Sequence, residues 1–259
     1  MQKRVAVVTG ASRGVGKGVA LELCQAGFMV YITGRSAADM SYIQDKGTAI
    51  VCDHSDDQQV ERAFAQIGQE QNRIDVLVNN VWGGYENIVE NGEFTWSRPF
   101  WQQPLWRWDA MFQAGVRAAY VASRLVAPFM ILKRSGLIVD ISFWSAQKHI
   151  GNVAYGVAKA ATDKLTSDMA IELKEHNIAA ISLYPGLVRT EKIMEAAQWL
   201  DLSNSESPEF TGRAVVALAN DEERMRKSGQ VLVVAALAHE YGFIDIDGKS
   251  PRPLSLAEV

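Results

Sequence analysis

The sequence predicts an α/β domain, a parallel sheet of about seven strands with helices on both faces, on three observations. Short β-branched runs alternate with longer helical patterns, the connections between them are only a few residues long, and a glycine-rich stretch directly follows the first run. The 259 residues suit one domain of this class, because a single α/β sheet with its helices commonly runs to about 250 residues. With no internal repeat, low-complexity stretch or linker, residues 1–259 are expected to form one unit, with 235–259 as a C-terminal tail.

The elements follow in order. Residues 5–8, Val-Ala-Val-Val, read as the first strand, and the turn after them opens a helix over 15–26. Strands at 28–33, 48–52 and 74–78 alternate with helices at 37–45 and 56–70. The second half continues with a helix over 105–132, a strand at 137–141, a helix over 153–175, a strand at 178–183 and a last strand at 230–234. Three segments break this rhythm: the long connection 81–104, the Ser-, Asn-, Glu- and Pro-bearing excursion 190–212, and the tail. Loops of such length are usually functional, and ligands of parallel sheets bind beyond the carboxyl ends of the strands.

Composition removes several function classes. Lys and Arg number 26 against 30 Asp and Glu with no basic block, so nucleic acid is not an expected partner. The longest uninterrupted apolar run, 231–238, falls short of the roughly 20 residues of a bilayer helix, and no membrane span is expected. The first residues lead straight into a strand and turn rather than a signal peptide, and two cysteines, Cys24 and Cys52, suggest neither a disulfide framework nor zinc, so a reducing cytoplasm is the default. The histidines, His54, His149, His176 and His239, lack metal-ligand spacing and are expected at the surface or as caps. One feature is uneven: of seven tryptophans, Trp82, Trp96, Trp101, Trp106 and Trp108 fall within 27 residues.

The turn after the first strand reads Thr9-Gly10-Ala11-Ser12-Arg13-Gly14-Val15-Gly16 and runs into a helix. Glycines at 10, 14 and 16 allow a tight turn and bring backbone N–H groups to a pyrophosphate, with the positive end of the helix beneath it. Gly10, Ser12, Arg13, Gly14, Val15 and Gly16 are therefore the candidate cofactor-binding residues of this turn, and without a G-K-[ST] ending an ordinary P-loop is unsupported. At the end of the second strand, an acid would hold the ribose 2′-OH of NAD; here stand Gly34 and Arg35. Arg35, with Arg13, would grip a 2′-phosphate, which favours NADP, with NADPH preferred over NADH; the bland alternative is two solvated arginines. Asp53, after the third strand, is a candidate for the adenine amino group or equally a helix N-cap.

Tyr155 and Lys159 stand at i, i+4 near the start of a predicted helix and so share one face. An ammonium beside a phenol favours the phenolate and would bring its pKa from near 10 toward neutrality, making it a usable acid or base. Ser142, at the end of a strand, is placed to orient a carbonyl oxygen toward Tyr155.

Thr9 to Gly16, Asn79-Asn80, Ser142, Tyr155 to Lys159 and Tyr184-Pro185-Gly186-Leu187-Val188-Arg189-Thr190 come in the order and at the spacing of the short-chain dehydrogenases/reductases, which the chain resembles over roughly residues 4–234. The segments 155–165, 215–219 and 241–248 single out one branch of that family. The resemblance implies a single Rossmann-type doubly wound domain and hydride transfer between a nicotinamide and a carbonyl or alcohol carbon. By motif, Tyr155 would be the general acid in reduction, Lys159 would hold the nicotinamide ribose and lower the Tyr155 pKa, and Ser142 would bind the substrate oxygen. Asn80 and Val81 would line the cofactor, and Pro185, Gly186, Val188 and Thr190 would meet its carboxamide end. A homodimer or homotetramer through the two long helices is also implied.

Three departures stand out. The family's N-N-A-G is here Asn79-Asn80-Val81-Trp82, which puts an indole beside the nicotinamide region. The helix Asn that normally anchors a proton-relay water falls at Gly115, which has no side chain for the task. Ser142 is followed by Phe143-Trp144-Ser145 rather than a second serine, so that a slip of register would hand the orienting role to Ser145 or to none. Trp82, Phe143 and Trp144 are the candidates to wall an apolar pocket for a bulky carbonyl compound; for the run 94–108, packing of the loop or a subunit interface weighs equally. The rival to an enzyme is a sensor or scaffold that binds NADP(H) without turnover.

Overall fold

The computed structural model describes residues 3–86, 88–90, 93–195 and 197–259. Strands β1 (Val5–Val8), β2 (Met29–Gly34), β3 (Gly47–Val51), β4 (Val76–Asn79), β7 (Gly136–Ile141), β8 (Ile178–Tyr184) and β9 (Val231–Val233) form one sheet in the order β3-β2-β1-β4-β7-β8-β9. All its pairings are parallel, with Val8 beside both Ile32 and Val78 and Asn79 beside Asp140. A short antiparallel pair, β5 (Val89–Glu90) and β6 (Glu93–Phe94), lies in the connection after β4.

Side-chain alternation sends each strand's residues to two apolar layers. On one face Ala6, Val8, Val30 and Ile32 pack against Val19 and Leu23 of α1 (Gly14–Gln25), Phe210 and Leu218 of α7 (Pro208–Asn220), and Leu237 of α8 (Val234–Tyr241). On the other, Val5, Val7, Tyr31 and Leu77 meet Phe64 and Ile67 of α2 (Asp57–Gln71), Val126 and Met130 of α4 (Ala118–Lys133), and Leu173 of α5 (Val153–Leu173). The order in which strands are added reverses between β1 and β4, and their carboxyl ends open the crevice in which ligands of such sheets bind.

The expected strands are present with ends shifted by a residue or two, and three helical expectations change. Residues 37–45 form only a 3₁₀ turn, Ala38–Ile43, whose buried residues Met40 and Ile43 sit at the three-residue spacing of that geometry. The helix over 105–132 is a continuous run of α3 (Leu105–Ala110), a π-helical segment Met111–Arg117, and α4. By length and composition Leu105–Lys133 passes for a membrane-crossing helix, but Ala118, Ala122, Val126 and Met130 bury its face in the domain. Two further helices, α7 beginning in the excursion and running past it and α8 at the start of the tail, were not revealed by the hydrophobic pattern. Ser207 starts α7 by accepting from Phe210 N–H, with Pro208 in the first turn. Asp245 of the tail, fully buried, accepts from Ser207 N–H at 2.8 Å and from Arg189 at 3.1 Å, which ties the tail to the segment after β8.

Candidate active site

The glycine turn between β1 and α1 is built for close backbone approach. Gly10 and Gly14 adopt φ of 64° and 54°, in the left-handed region open to glycine. A Cβ on Gly10 would lie 2.9 Å from Val81 Cα, and one on Gly16 would lie 2.4 Å from Asn80 Nδ2 and 2.8 Å from Gly10 O. Asn80, just beyond β4, staples the turn: its Nδ2 donates to Thr9 O and Gly10 O, and its N–H to Thr9 Oγ1. Ser12, Arg13 and Val15 complete the turn, with Arg13 exposed at the helix N-cap. The cradle fits a dinucleotide diphosphate. Its Gly14 N–H donates, at 3.0 Å, to a carboxylate from elsewhere in the chain, Glu191 at the start of α6 (Glu191–Glu195).

Arg35 follows β2 directly and is exposed, 4.0 Å from Glu86. Asp53 does not cap α2; Asp56 does, by accepting from Gln58 and Gln59 N–H. Asp53 instead accepts from the N–H and hydroxyl of Ser55, and with Arg35 nearby its carboxyl is held below the usual range. His54 is neither exposed nor a cap: it is buried, Nε2 lies 2.8 Å from Thr33 Oγ1, and desolvation lowers its pKa to about 4. After β8, Pro185, Gly186, Val188 and Thr190 are held in place by Glu206, whose carboxylate accepts from Gly186 N–H and whose backbone pairs with Leu187 and Arg189. Thr190 Cγ2 lies 3.2 Å from the place a Cβ on Gly14 would take, so this segment closes over the glycine turn.

Tyr155 and Lys159 stand on one face of α5, buried at the end of β7. Asn152 caps that helix by accepting from Tyr155 N–H at 3.0 Å, while its Nδ2 donates to Trp96 O at 3.0 Å. One amide thus joins the start of α5 to the long connection after β4. Lys159 Nζ donates to Ile141 O at 2.9 Å and lies 5.8 Å from the centre of the Tyr155 ring. Burial dominates the ionisation of both groups. It pushes the Tyr155 phenol well above its ordinary value, against the expected lowering, and it brings Lys159 down to about 7 against the upward pull of Asp163 and Asp140.

The two serines part company. Ser142 continues the ladder of β7 through its N–H to Leu183 O, and its buried hydroxyl donates to Lys159 O. The buried Ser145 hydroxyl faces the Tyr155 phenol and acts to lower its pKa. Phe143 is extended, and the 3₁₀ turn Trp144–Ala146 carries Ser145.

Aromatic rings enclose Tyr155. Trp96, Trp82, Tyr85 and Phe143 have ring centres 5.3, 5.4, 6.2 and 6.3 Å from its own. Trp144 does not belong to this wall: it is buried edge-on against Tyr184 at 5.3 Å. Tyr85 escaped the sequence reading, and Trp96 belongs to the run 94–108, for which pocket and packing weighed equally. The connection that carries them is fixed by Arg107, wholly buried, whose guanidinium donates to Thr95 Oγ1 at 2.9 Å and to Gln103 Oε1. Trp101 and Trp108 face outward, Trp108 stacked on Phe112. Among the described residues no cluster of His, Cys, Asp and Glu is arranged to hold a metal.

A dinucleotide cradle at the β1 end and a buried Tyr–Lys pair at the β7 end of one crevice define a nicotinamide-dependent oxidoreductase. A model of the short chain dehydrogenase family matches residues 4–201, and the chain belongs to that family. Among curated proteins it is similar to dehydrogenase/reductase SDR family member 1 of Mus musculus, 41% identical over 96% of this chain and 85% of the mouse protein. The Homo sapiens protein of the same name is 39% identical over 100% of this chain and 88% of its own length. The fold is shared with YwfH, an NADPH-dependent reductase involved in bacilysin biosynthesis (TM-score 0.75, 24% identity, 90% and 96% of the two chains). It is shared also with a hydroxysteroid dehydrogenase from Escherichia coli (TM-score 0.74, 24% identity, 89% and 95%).

Proposed function

We propose that the chain is an NADP(H)-dependent carbonyl reductase or alcohol dehydrogenase acting on an apolar, bulky substrate. The observation that carries this reading is Tyr155 with Lys159, buried inside an aromatic wall and beside the glycine turn. The cofactor, when bound, supplies or accepts a hydride at the nicotinamide. Gly10, Gly14 and Gly16 would hold its diphosphate, Arg13 and Arg35 its 2′-phosphate, Lys159 the nicotinamide ribose, and the segment from Pro185 to Thr190 the carboxamide end. Tyr155, kept protonated by its burial, gives its proton to the substrate oxygen during reduction and takes it back during oxidation. Lys159 stabilises the phenolate left behind, and Ser145 takes the role of orienting the substrate oxygen. Tyr85, Trp96 and Phe143 accept an apolar group, and with Trp82 beside Lys159 they exclude water.

NADPH oxidation followed with quinones, diketones and ketosteroids tests the reading. Turnover is expected with at least one class, and Tyr155→Phe should lower kcat by roughly 10²–10⁴; activity equal to wild type would remove Tyr155 from the mechanism. Arg35→Ala should weaken NADPH by roughly ten- to a hundredfold and NADH far less, since a charge-assisted phosphate contact is worth about 1.5–3 kcal/mol. Equal loss for both would refute the 2′-phosphate assignment.

The same reading makes the protein a homodimer or homotetramer. Its support is the exposed apolar set Leu105, Tyr120, Leu132, Val157 and Ile171 along the two long helices, with a groove of about 700 Å³ between them lined by Phe112, Val116, Arg117, Tyr120 and Leu165. The free cysteines Cys24 and Cys52 accord with a cytoplasmic setting.

A further inference from the structure

Gly115 lies in the π-helical segment Met111–Arg117, directly against the indole of Trp82. A Cβ at position 115 would stand 2.6 Å from Trp82 Cζ3 and 2.9 Å from its Cε3, distances that real Cβ contacts do not show. The six-membered part of the indole therefore occupies the volume that any side chain at 115 would need. On its other side the ring meets the catalytic pair: Lys159 Nζ lies 3.9 Å from the Trp82 ring centre, and the Tyr155 ring meets it nearly perpendicular at 89°. Trp82 Nε1 is buried without a hydrogen-bond partner, so the indole is placed here for its face and not for its N–H. Behind the ammonium only a cavity of about 10 Å³ remains, bordered by Thr9, Asn79, Val81, Trp82 and Gly115, room for a single water.

We infer that Trp82 is a positioning residue for Lys159, its indole seated in the space that Gly115 leaves and holding the ammonium toward Tyr155 by a cation–π contact. An ammonium has three donors, and within the protein Ile141 O takes one. A desolvated cation gains most from an indole face, which restrains the lysine where water or an amide would otherwise anchor it. The two departures from the family's pattern, at 82 and at 115, are on this account one exchange: the large side chain moved from the helix to the loop. The contact itself is independent of turnover, but its catalytic consequence rests on the oxidoreductase reading.

The test separates the two. In the full-length chain labelled with ¹³C-lysine, the Lys159 side-chain signals, assigned by their loss in Lys159→Met, should be shifted upfield by the Trp82 ring current. Trp82→Phe should retain most of that shift and Trp82→Leu should abolish it. With NADPH and phenanthrenequinone, Trp82→Phe should stay within about threefold of wild-type kcat, and Trp82→Leu should lose about tenfold or more with KM for the quinone little changed. Thermal melts accompany each variant, and Trp82→Met replaces Trp82→Leu if the latter does not fold. Gly115→Ala should lower Tm in the wild-type background and much less in Trp82→Phe. Unshifted Lys159 signals, or Leu and Phe variants with the same kcat, would overturn the inference. A wild type with shifted Lys159 signals but no turnover would leave the contact standing and refute the proposed activity instead.

Discussion

Ionisation in the buried site is decided by desolvation more than by sequence neighbours. Lys159 one turn beyond Tyr155 promised a lowered phenol pKa, yet burial drives the phenol up and the lysine down, because each loses water on its charged form. Asp140 behaves likewise. It is wholly buried in β7, accepts from Asn79 Nδ2 at 2.7 Å and from Thr166 Oγ1 at 2.6 Å, and burial still pushes its carboxyl up to about 6. Its folded pKa exceeds its ordinary 3.8, so the folded state binds the proton more tightly, and stability present below pH 3.8 is lost as pH rises through 6. Asp140→Asn should therefore raise stability by roughly 3 kcal/mol at pH 8 and by less than about 1 kcal/mol at pH 4. Urea unfolding at the two pH values measures this, and an equal change at both would contradict it. The identities of Tyr155 and Lys159 were legible from their spacing. The surroundings of Ser142 and Ser145 were not, because they depend on how the segment after β7 turns.

Among the elements, α6 carries the clearest functional consequence. Its first residue, Glu191, puts a carboxylate on the Gly14 N–H, in the cradle suited to a diphosphate. Two anions cannot share that donor, so on the proposed reading cofactor binding would displace Glu191. Glu191→Gln should lower the Kd for NADPH by about three- to tenfold, more at low ionic strength than at high, as read by quenching of protein fluorescence. An unchanged Kd at both would show that the contact is incidental. This latch was invisible in the sequence, since 191 follows 14 only when the segment after β8 folds back. The strands were legible because β-branched runs between short turns admit little else. The start of α7 was hidden because Ser207 and Pro208 end a polar excursion, and the hydrophobic period is interpreted only once the N-cap is recognised.

Across the whole molecule, the sheet order brings the ends of β1, β4, β7 and β8 to one edge, and chemistry read from four separate motifs converges there. That convergence followed from the alternating pattern and the motif order. The linear pattern named Trp82 and Phe143 for the wall around Tyr155, but it neither named Tyr85 nor separated the inward tryptophans from the outward ones. Of five clustered tryptophans, Trp82 and Trp96 turn inward while Trp101 and Trp108 remain exposed, and the difference is made by long-range groups: Arg107 holding Thr95, and Asn152 holding the Trp96 carbonyl. The complementarity of Trp82 and Gly115 is likewise a property of packed volume. Glycine at 115 alone suggested a lost function, and the folded chain shows the space filled. The central claim, that this assembly transfers hydride to a carbonyl carbon with Tyr155 as the acid, is tested most directly with NADPH deuterated at the nicotinamide C4. The account predicts an alcohol product carrying one deuterium on the carbinol carbon, formed by the wild type and lost with Tyr155→Phe. Tight NADPH binding with no labelled alcohol from any carbonyl offered would contradict it.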